Sequence, residues 1–250
     1  MIISKNYNKT IVILGSTGSG KTGVGIELAK LIGGEIISAD SRAIYKGMDI
    51  GTAKPTVFEM DGVPHFGLDL VEPGERFTVA DFKSYAEQKI KEIRTRGHIP
   101  IIVGGTGLYI DALVYDYQFD KDREEAVDRE KICTNYLLIG VKWTKEELRQ
   151  RLWMRVNKMF SQELYDETRK LVDRYGWSSQ AMKSNIYEYV WKYLNNEMDL
   201  ETAKERCFYE DYHLAKRQMT WFKRTSSIEW LELEKICPFV LKCIQDEQGK

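Results

Sequence analysis

Residues Gly15-Ser16-Thr17-Gly18-Ser19-Gly20-Lys21-Thr22 spell G-x-x-x-x-G-K-T, a spacing that lets backbone wrap a phosphate. The glycines allow N–H groups to turn inward, and the start of a following helix adds partial positive charge. Lys21 supplies a point charge to the terminal phosphate, and Thr22 a hydroxyl suited to Mg²⁺. A glycine-rich turn with no ligand is the plain alternative. The β-branched run before the motif and the helical pattern after it favour phosphate. The motif does not say which phosphate compound is bound.

Two further strand ends carry chemistry. A nucleotide-hydrolysing P-loop protein needs an aspartate after a neighbouring apolar strand to hold Mg²⁺. Here Ile101-Ile102-Val103 runs instead into Gly104-Gly105-Thr106-Gly107. The carboxylate stands at Asp40, in Ala39-Asp40-Ser41-Arg42. An ionised Asp there can accept a proton from an incoming nucleophile, or it can simply cap a turn. Thr106 in its glycine frame reads as a hydroxyl aimed into a cleft, with backbone crowded against a ligand, or as a plain turn. Three such motifs at three strand ends point to one shared site.

The elements that must position these groups follow from hydrophobic spacing. Thr10 to Leu14, Glu35 to Ala39, Pro100 to Val103 and Tyr136 to Val141 read as buried strands. Val24, Leu28, Leu31 and Ile32 mark a helix ended by Gly33-Gly34, and Val79, Phe82, Ala86, Ile90 and Ile93 another stopped by Gly97. Residues 54–74 are loop-rich. From Lys145 the pattern is helical, with a last helix over Leu200 to Arg224 and a possible final strand over Ser227 to Leu233. The expected fold is α/β: a P-loop NTPase-like three-layer parallel sheet with a helical C-terminal portion, as one domain over 1–250 (core 10–141, helices 145–224).

Bulk composition bounds the partners. The 250 residues are 43% hydrophobic, enough for a sizeable core, and 37 Lys plus Arg nearly balance 38 Asp plus Glu. Any nucleic-acid contact must therefore come from local patches. Two basic stripes qualify, Arg151, Arg155 and Lys158, and Lys216, Arg217, Lys223 and Arg224, each also readable as a solvated helix face. Cys133, Cys207, Cys237 and Cys243 have no metal-ligand spacing and read as reduced, partly buried thiols. The polar start and the lack of a long apolar run predict a cytoplasmic protein with no membrane span. A monomer is expected.

The chain resembles the tRNA dimethylallyltransferase (tRNA isopentenyltransferase) family. The resemblance rests on the blocks at 15–22, 39–55 (Ala-Asp-Ser-Arg-Ala-Ile-Tyr-Lys-Gly-Met-Asp-Ile-Gly-Thr-Ala-Lys-Pro), 63–65 (Val-Pro-His), 103–109 (Val-Gly-Gly-Thr-Gly-Leu-Tyr) and 215–224 (Ala-Lys-Arg-Gln-Met-Thr-Trp-Phe-Lys-Arg). It implies that the P-loop holds dimethylallyl diphosphate rather than ATP, and that the acceptor is N6 of the adenine 3′ of a tRNA anticodon. By the same resemblance Asp40 accepts the N6 proton, Thr106 bonds a diphosphate oxygen, and Lys21 with Mg²⁺ on Thr22 stabilises the leaving group. Ser41, Arg42, Ala43, Lys216, Arg217, Gln218 and Arg224 are then expected on the anticodon stem-loop. Trp221 reads as core or as a base-stacking platform, and His65 as a satisfied loop imidazole or a functional one, with no proton-transfer role assigned to it.

The sequence departs from that family in two places. Only residues 110–135 separate Tyr109 from the strand at Tyr136, where relatives carry a helical insertion that grips the RNA. Asp120 to Lys131 reads as a short polar connector instead. Lys183 stands where the family has an arginine, keeping charge without the guanidinium fork. Loss of the insertion suits an adenylate dimethylallyltransferase acting on free AMP; the intact Asp40 and Gln218 blocks suit tRNA. A P-loop small-molecule kinase with Arg149, Arg151 and Arg155 as a lid, and a non-catalytic RNA-binding relative, are the remaining alternatives.

Overall fold

The computed structural model describes residues 7–119, 134–177, 179, 181–182 and 185–248. The elements run β1 (Thr10–Leu14), α1 (Lys21–Ile32), β2 (Gly34–Ala39), α2 (Val57–Met60), β3 (His65–Phe66), α3 (Val79–Thr95), β4 (Ile99–Gly104) and α4 (Gly107–Val114). After them come β5 (Tyr136–Val141), α5 (Lys145–Met159), α6 (Gln162–Tyr175), α7 (Asn185–Leu194), α8 (Leu200–Phe222), β6 (Glu229–Leu231) and α9 (Leu233–Gln248). One parallel sheet has the order β3-β2-β4-β1-β5-β6. Its centre, β1, pairs with β4 (Ile11 opposite Ile101) and with β5 (Ile11 opposite Leu137).

Strands buried on both faces read as unbroken apolar runs because alternate residues serve different layers. Ile11, Ile13, Ile36, Ile101, Val103 and Ile139 face α1 and α9, where Leu28, Ile32, Ile236, Val240 and Ile244 meet them. Val12, Leu14, Ile37, Ile102 and Leu138 face the other way, onto Phe82, Ala86 and Ile93 of α3 and Ile110 and Leu113 of α4. A third cluster joins α6 and α7 to Met48, and a fourth joins α5 to α8. The α/β expectation, with its helical C-terminal portion, holds.

Several local expectations change. The final strand is only Glu229–Leu231, and the residues after it form α9, whose internal Pro238 reads in sequence as a breaker. Its apolar side lies at Ile236, Val240 and Ile244, four residues apart. Helix α4 starts at Gly107, so the glycine frame is a helix entry, with Thr106 as the capping residue. Leu31 is solvent-facing rather than part of the buried stripe of α1. Cys207 and Cys237 are buried free thiols; Cys133 and the connector at 120–131 lie outside the described residues, as does Lys183. Among the described residues, no helix is long and apolar enough to cross a membrane.

Candidate functional site

The P-loop leaves β1 and turns twice through left-handed backbone, at Gly18 (φ 74°) and Gly20 (φ 82°), before Lys21 opens α1. Side chains would also collide there: a Cβ on Gly18 would lie 2.7 Å from Leu152 of α5. The loop's outward carbonyls are held from α5 and its approach. Trp143 Nε1 donates to Ser19 O (2.8 Å), and Arg151 Nε donates to Gly18 O (2.9 Å). Gln218 of α8 ties the loop to the end of β4: its Oε1 accepts from Thr17 N (2.8 Å) and its Nε2 donates to Gly105 O (2.9 Å). With carbonyls turned outward and tied, the loop keeps its shape for an anion.

Lys21 sits behind this loop, its Nζ donating to Ser16 O (3.2 Å). Burial pushes its ammonium down from the usual 10.5 to about 8; Asp40 opposes the shift and Arg155 adds to it. Arg155 of α5 donates to Thr17 Oγ1 and pairs with Asp211 of α8 (3.3 Å), while its Nε is buried without a partner. Of the stripe Arg151, Arg155 and Lys158, the first two are tied to the loop, and Lys158 is exposed. All three line the cavity over the P-loop, with Arg151 and Arg155 bonded to it.

Asp40 ends β2. Its Oδ1 accepts from Arg42 N (2.8 Å), so the turn-capping reading is correct for one oxygen. Its Oδ2 takes no hydrogen bond among the described residues. Thr106 Oγ1 accepts from Ser41 N (3.0 Å) and donates to Ser41 Oγ (3.2 Å), joining the ends of β4 and β2. The glycines around it are crowded by protein. A Cβ on Gly104 would lie 2.2 Å from Ala39 O, and one on Gly107 would lie 2.3 Å from Trp221.

Two cavities flank the P-loop, of about 560 Å³ and 440 Å³. The first takes Gly18, Gly20, Thr22, Ala43, His65 and the α5 stripe; the second takes Ser41, Arg42, Thr106, Arg217, Gln218 and Trp221. Five residues border both: Thr17, Lys21, Asp40, Thr52 and Arg155. They form the seam where the cavities meet. Ala43 thus lies on the P-loop side, away from the group with which the sequence placed it. Trp221 is packed as expected, its Nε1 donating to Asp111 Oδ2 (3.0 Å), yet its edge also lines the second cavity.

On α8, Leu214, Arg217, Gln218 and Trp221 form the cavity face at i, i+3, i+4 and i+7, while exposed Lys216 lies off it against Tyr212. Exposed Arg224 rests on the Trp221 ring, 5.2 Å from its centre. His65 Nδ1 meets Val63 O at 2.8 Å; a carbonyl only accepts, so the proton is on Nδ1. Nε2 is then a buried, unpartnered acceptor beside the first cavity, and burial holds the ring's pKa down. Thr52 and Arg155 are the seam residues that sequence reasoning did not assign to the site. The α5 stripe was visible, but its P-loop partners lie 133 and 138 residues away.

Known proteins resemble this chain throughout. A family model described as IPP transferase matches residues 43–133 and 122–225. The tRNA dimethylallyltransferase of Staphylococcus carnosus is 37% identical, covering 92% of this chain and 93% of that protein. That alignment runs over 293 positions against 250 residues here, so at least 43 of its positions have no counterpart in this chain. The two family-model matches meet at 122–133, between α4 and β5, where the sequence reading located the missing insertion. The full-length tRNA isopentenylpyrophosphate transferase of Bacillus halodurans superposes with TM-score 0.84 at 30% identity, covering 97% of this chain and 98% of that one. The corresponding Staphylococcus epidermidis structure gives 0.85 at 32%, covering 95% and 99%. By its P-loop, its paired cavities and these relatives, the chain belongs to the IPP transferase family, the family of the tRNA dimethylallyltransferases.

Proposed function

We propose that this protein transfers a dimethylallyl group from dimethylallyl diphosphate to N6 of the adenine 3′ of the anticodon in tRNA, releasing diphosphate. The observation that carries the proposal is the seam: two cavities that share Thr17, Lys21, Asp40, Thr52 and Arg155. A two-substrate displacement needs the donor and acceptor to meet end to end, with cations behind the leaving group and a base beside the nucleophile.

The donor occupies the P-loop cavity, its diphosphate on the inward N–H groups of the loop and on Lys21, Arg151 and Arg155. The acceptor base leaves the anticodon stack and enters the second cavity, past Leu214, Arg217 and Trp221. N6 attacks the allylic C1 as the C1–O bond to diphosphate breaks, and Asp40 Oδ2 takes the proton that N6 loses. Lys21 and Arg155 oppose the charge that grows on the leaving oxygens. Thr106, bonded to Ser41, borders the second cavity and not the P-loop one, which suits the acceptor side rather than the expected diphosphate oxygen. Lys216, Arg217 and Arg224 are exposed for the RNA backbone.

Mg²⁺ fits this donor set. Thr22 and Asp40 border the same cavity, and among the described residues no cluster of three His, Cys, Asp or Glu offers a cage. An ion that prefers substrate phosphates, water and one or two protein oxygens would be held by Thr22 and would neutralise leaving-group charge. A cytoplasmic location, with its tRNA supply, follows from the same reading.

The test supplies labelled dimethylallyl diphosphate with an anticodon stem-loop RNA, with AMP, or with neither. Label should enter the RNA, and transfer should weaken steeply with added salt. Label entering AMP but never RNA would refute the tRNA assignment.

A further inference from the structure

The segment Asp49 to Lys54, which brings Thr52 to the seam, is gripped from the helical portion. Glu167 of α6 receives three consecutive backbone N–H groups. Asp49 N (3.0 Å) and Ile50 N (2.8 Å) donate to Oε2, and Gly51 N (3.0 Å) donates to Oε1. Tyr187 of α7, fully buried, donates its hydroxyl to the same Oε1 (2.7 Å). Its ring lies so close to Gly51 that a Cβ there would stand 2.4 Å from Tyr187 Cζ. Two residues on, Ala53 is held at φ 52°, left-handed backbone that a non-glycine residue keeps only when its surroundings force it. Lys54, nearly enclosed, pins the far end to Asp49 (2.5 Å), Asp69 (2.6 Å) and Tyr45 O (2.9 Å).

This clamped segment forms part of the wall of both cavities. Gly51 and Thr52 line the second cavity, and Thr52, Ala53 and Lys54 line the first. The Thr52 hydroxyl is already spent on Met48 O (2.6 Å), so the segment offers shape rather than a reacting group.

We infer that Glu167, with Tyr187, is a positioning pair that keeps the Gly51–Thr52 wall closed on the seam, so that the allylic carbon meets the acceptor amine and not water. This rests on the proposed prenyl transfer. If the wall loosens, water attacks C1 in place of N6. The C1–O bond to diphosphate still breaks, and the products become dimethylallyl alcohol, diphosphate and a proton. Neither side chain needs to touch a substrate for this to happen.

Glu167→Gln places an NH₂ group where the carboxylate accepts, and Tyr187→Phe removes the hydroxyl while keeping the ring against Gly51. Each variant is assayed well below its unfolding midpoint for label transferred to stem-loop RNA or AMP, for label released as alcohol, and for affinity toward inorganic diphosphate. The expected result for Glu167→Gln is a tenfold or greater rise in the ratio of alcohol to transferred prenyl, with diphosphate affinity changed less than about twofold. Tyr187→Phe should move the ratio in the same direction by a smaller factor. An unchanged ratio in both variants, with activity falling only as the folded fraction falls, overturns the positioning role. Loss of diphosphate affinity in step with transfer also overturns it, because the damage then reaches the P-loop. Wild-type protein that transfers to neither acceptor refutes the proposed function itself; wild-type protein that transfers, beside variants with an unchanged ratio, refutes the clamp alone.

Discussion

Lys21 gives the reading its most quantitative test. Burial lowers its ammonium to about 8 in the free protein, and an anion on the P-loop favours the charged form. Binding therefore takes up a proton above that pH, and affinity falls as pH rises. At pH 7 the ammonium is about 90% charged and at pH 9.5 about 3%. If only the charged form grips the anion, inorganic diphosphate should bind about 30-fold more weakly at pH 9.5 than at pH 7, roughly 2 kcal/mol. The anion's own titration overlaps this range, so the comparison is with Lys21→Arg, whose guanidinium stays charged throughout. Isothermal titration calorimetry in two buffers of different ionisation heat reads both affinity and proton uptake. Parallel curves for wild type and Lys21→Arg, with equal proton uptake, would show that Lys21 does not titrate in the binding step.

Two further substitutions probe the base and the scaffold. Asp40→Asn should lower transfer by about 10²-fold or more while leaving inorganic diphosphate affinity within about twofold, because it removes the proton acceptor and leaves the P-loop hydrogen bonds in place; equal loss of both would make Asp40 a structural residue. Gly104→Ala puts a methyl 2.2 Å from the Ala39 carbonyl, where both backbones are fixed by β2–β4 pairing. A cost of about 1–3 kcal/mol is expected, a fall of several degrees in Tm by calorimetry, and an unchanged Tm would contradict the close strand approach.

The centre of the parallel sheet is legible because β1, β2 and β4 are short apolar runs ending in a polar motif, and the P-loop, Asp40 and Thr106 follow from those endings, whereas the two-residue β3 carries no such signal. The seam as a whole is not legible. Thr52 sits in a loop with no periodicity to flag it, and Arg155 belongs to a basic stripe that suits RNA, a phosphate lid or plain solvent equally well. What decides between them is Thr17 on the far side of the sequence. Gln218 reads in sequence as an RNA contact, yet both ends of its amide bond to backbone, a use that composition and spacing cannot reveal. Helix α9 escaped notice because Pro238 masks a stripe that is otherwise regular.

The bond from Thr17 to Gln218 spans 201 positions of chain. During synthesis the glycine-rich motif emerges early, yet the side chain that fixes its shape arrives only after β1 to β5, α5, α6, α7 and most of α8. The strand pairings on both sides of β1 also close long loops, so local contacts cannot assemble the centre ahead of time. A nascent chain carries the most recognisable part of the protein long before it can use it. Affinity for diphosphate should therefore mark the end of folding rather than its beginning.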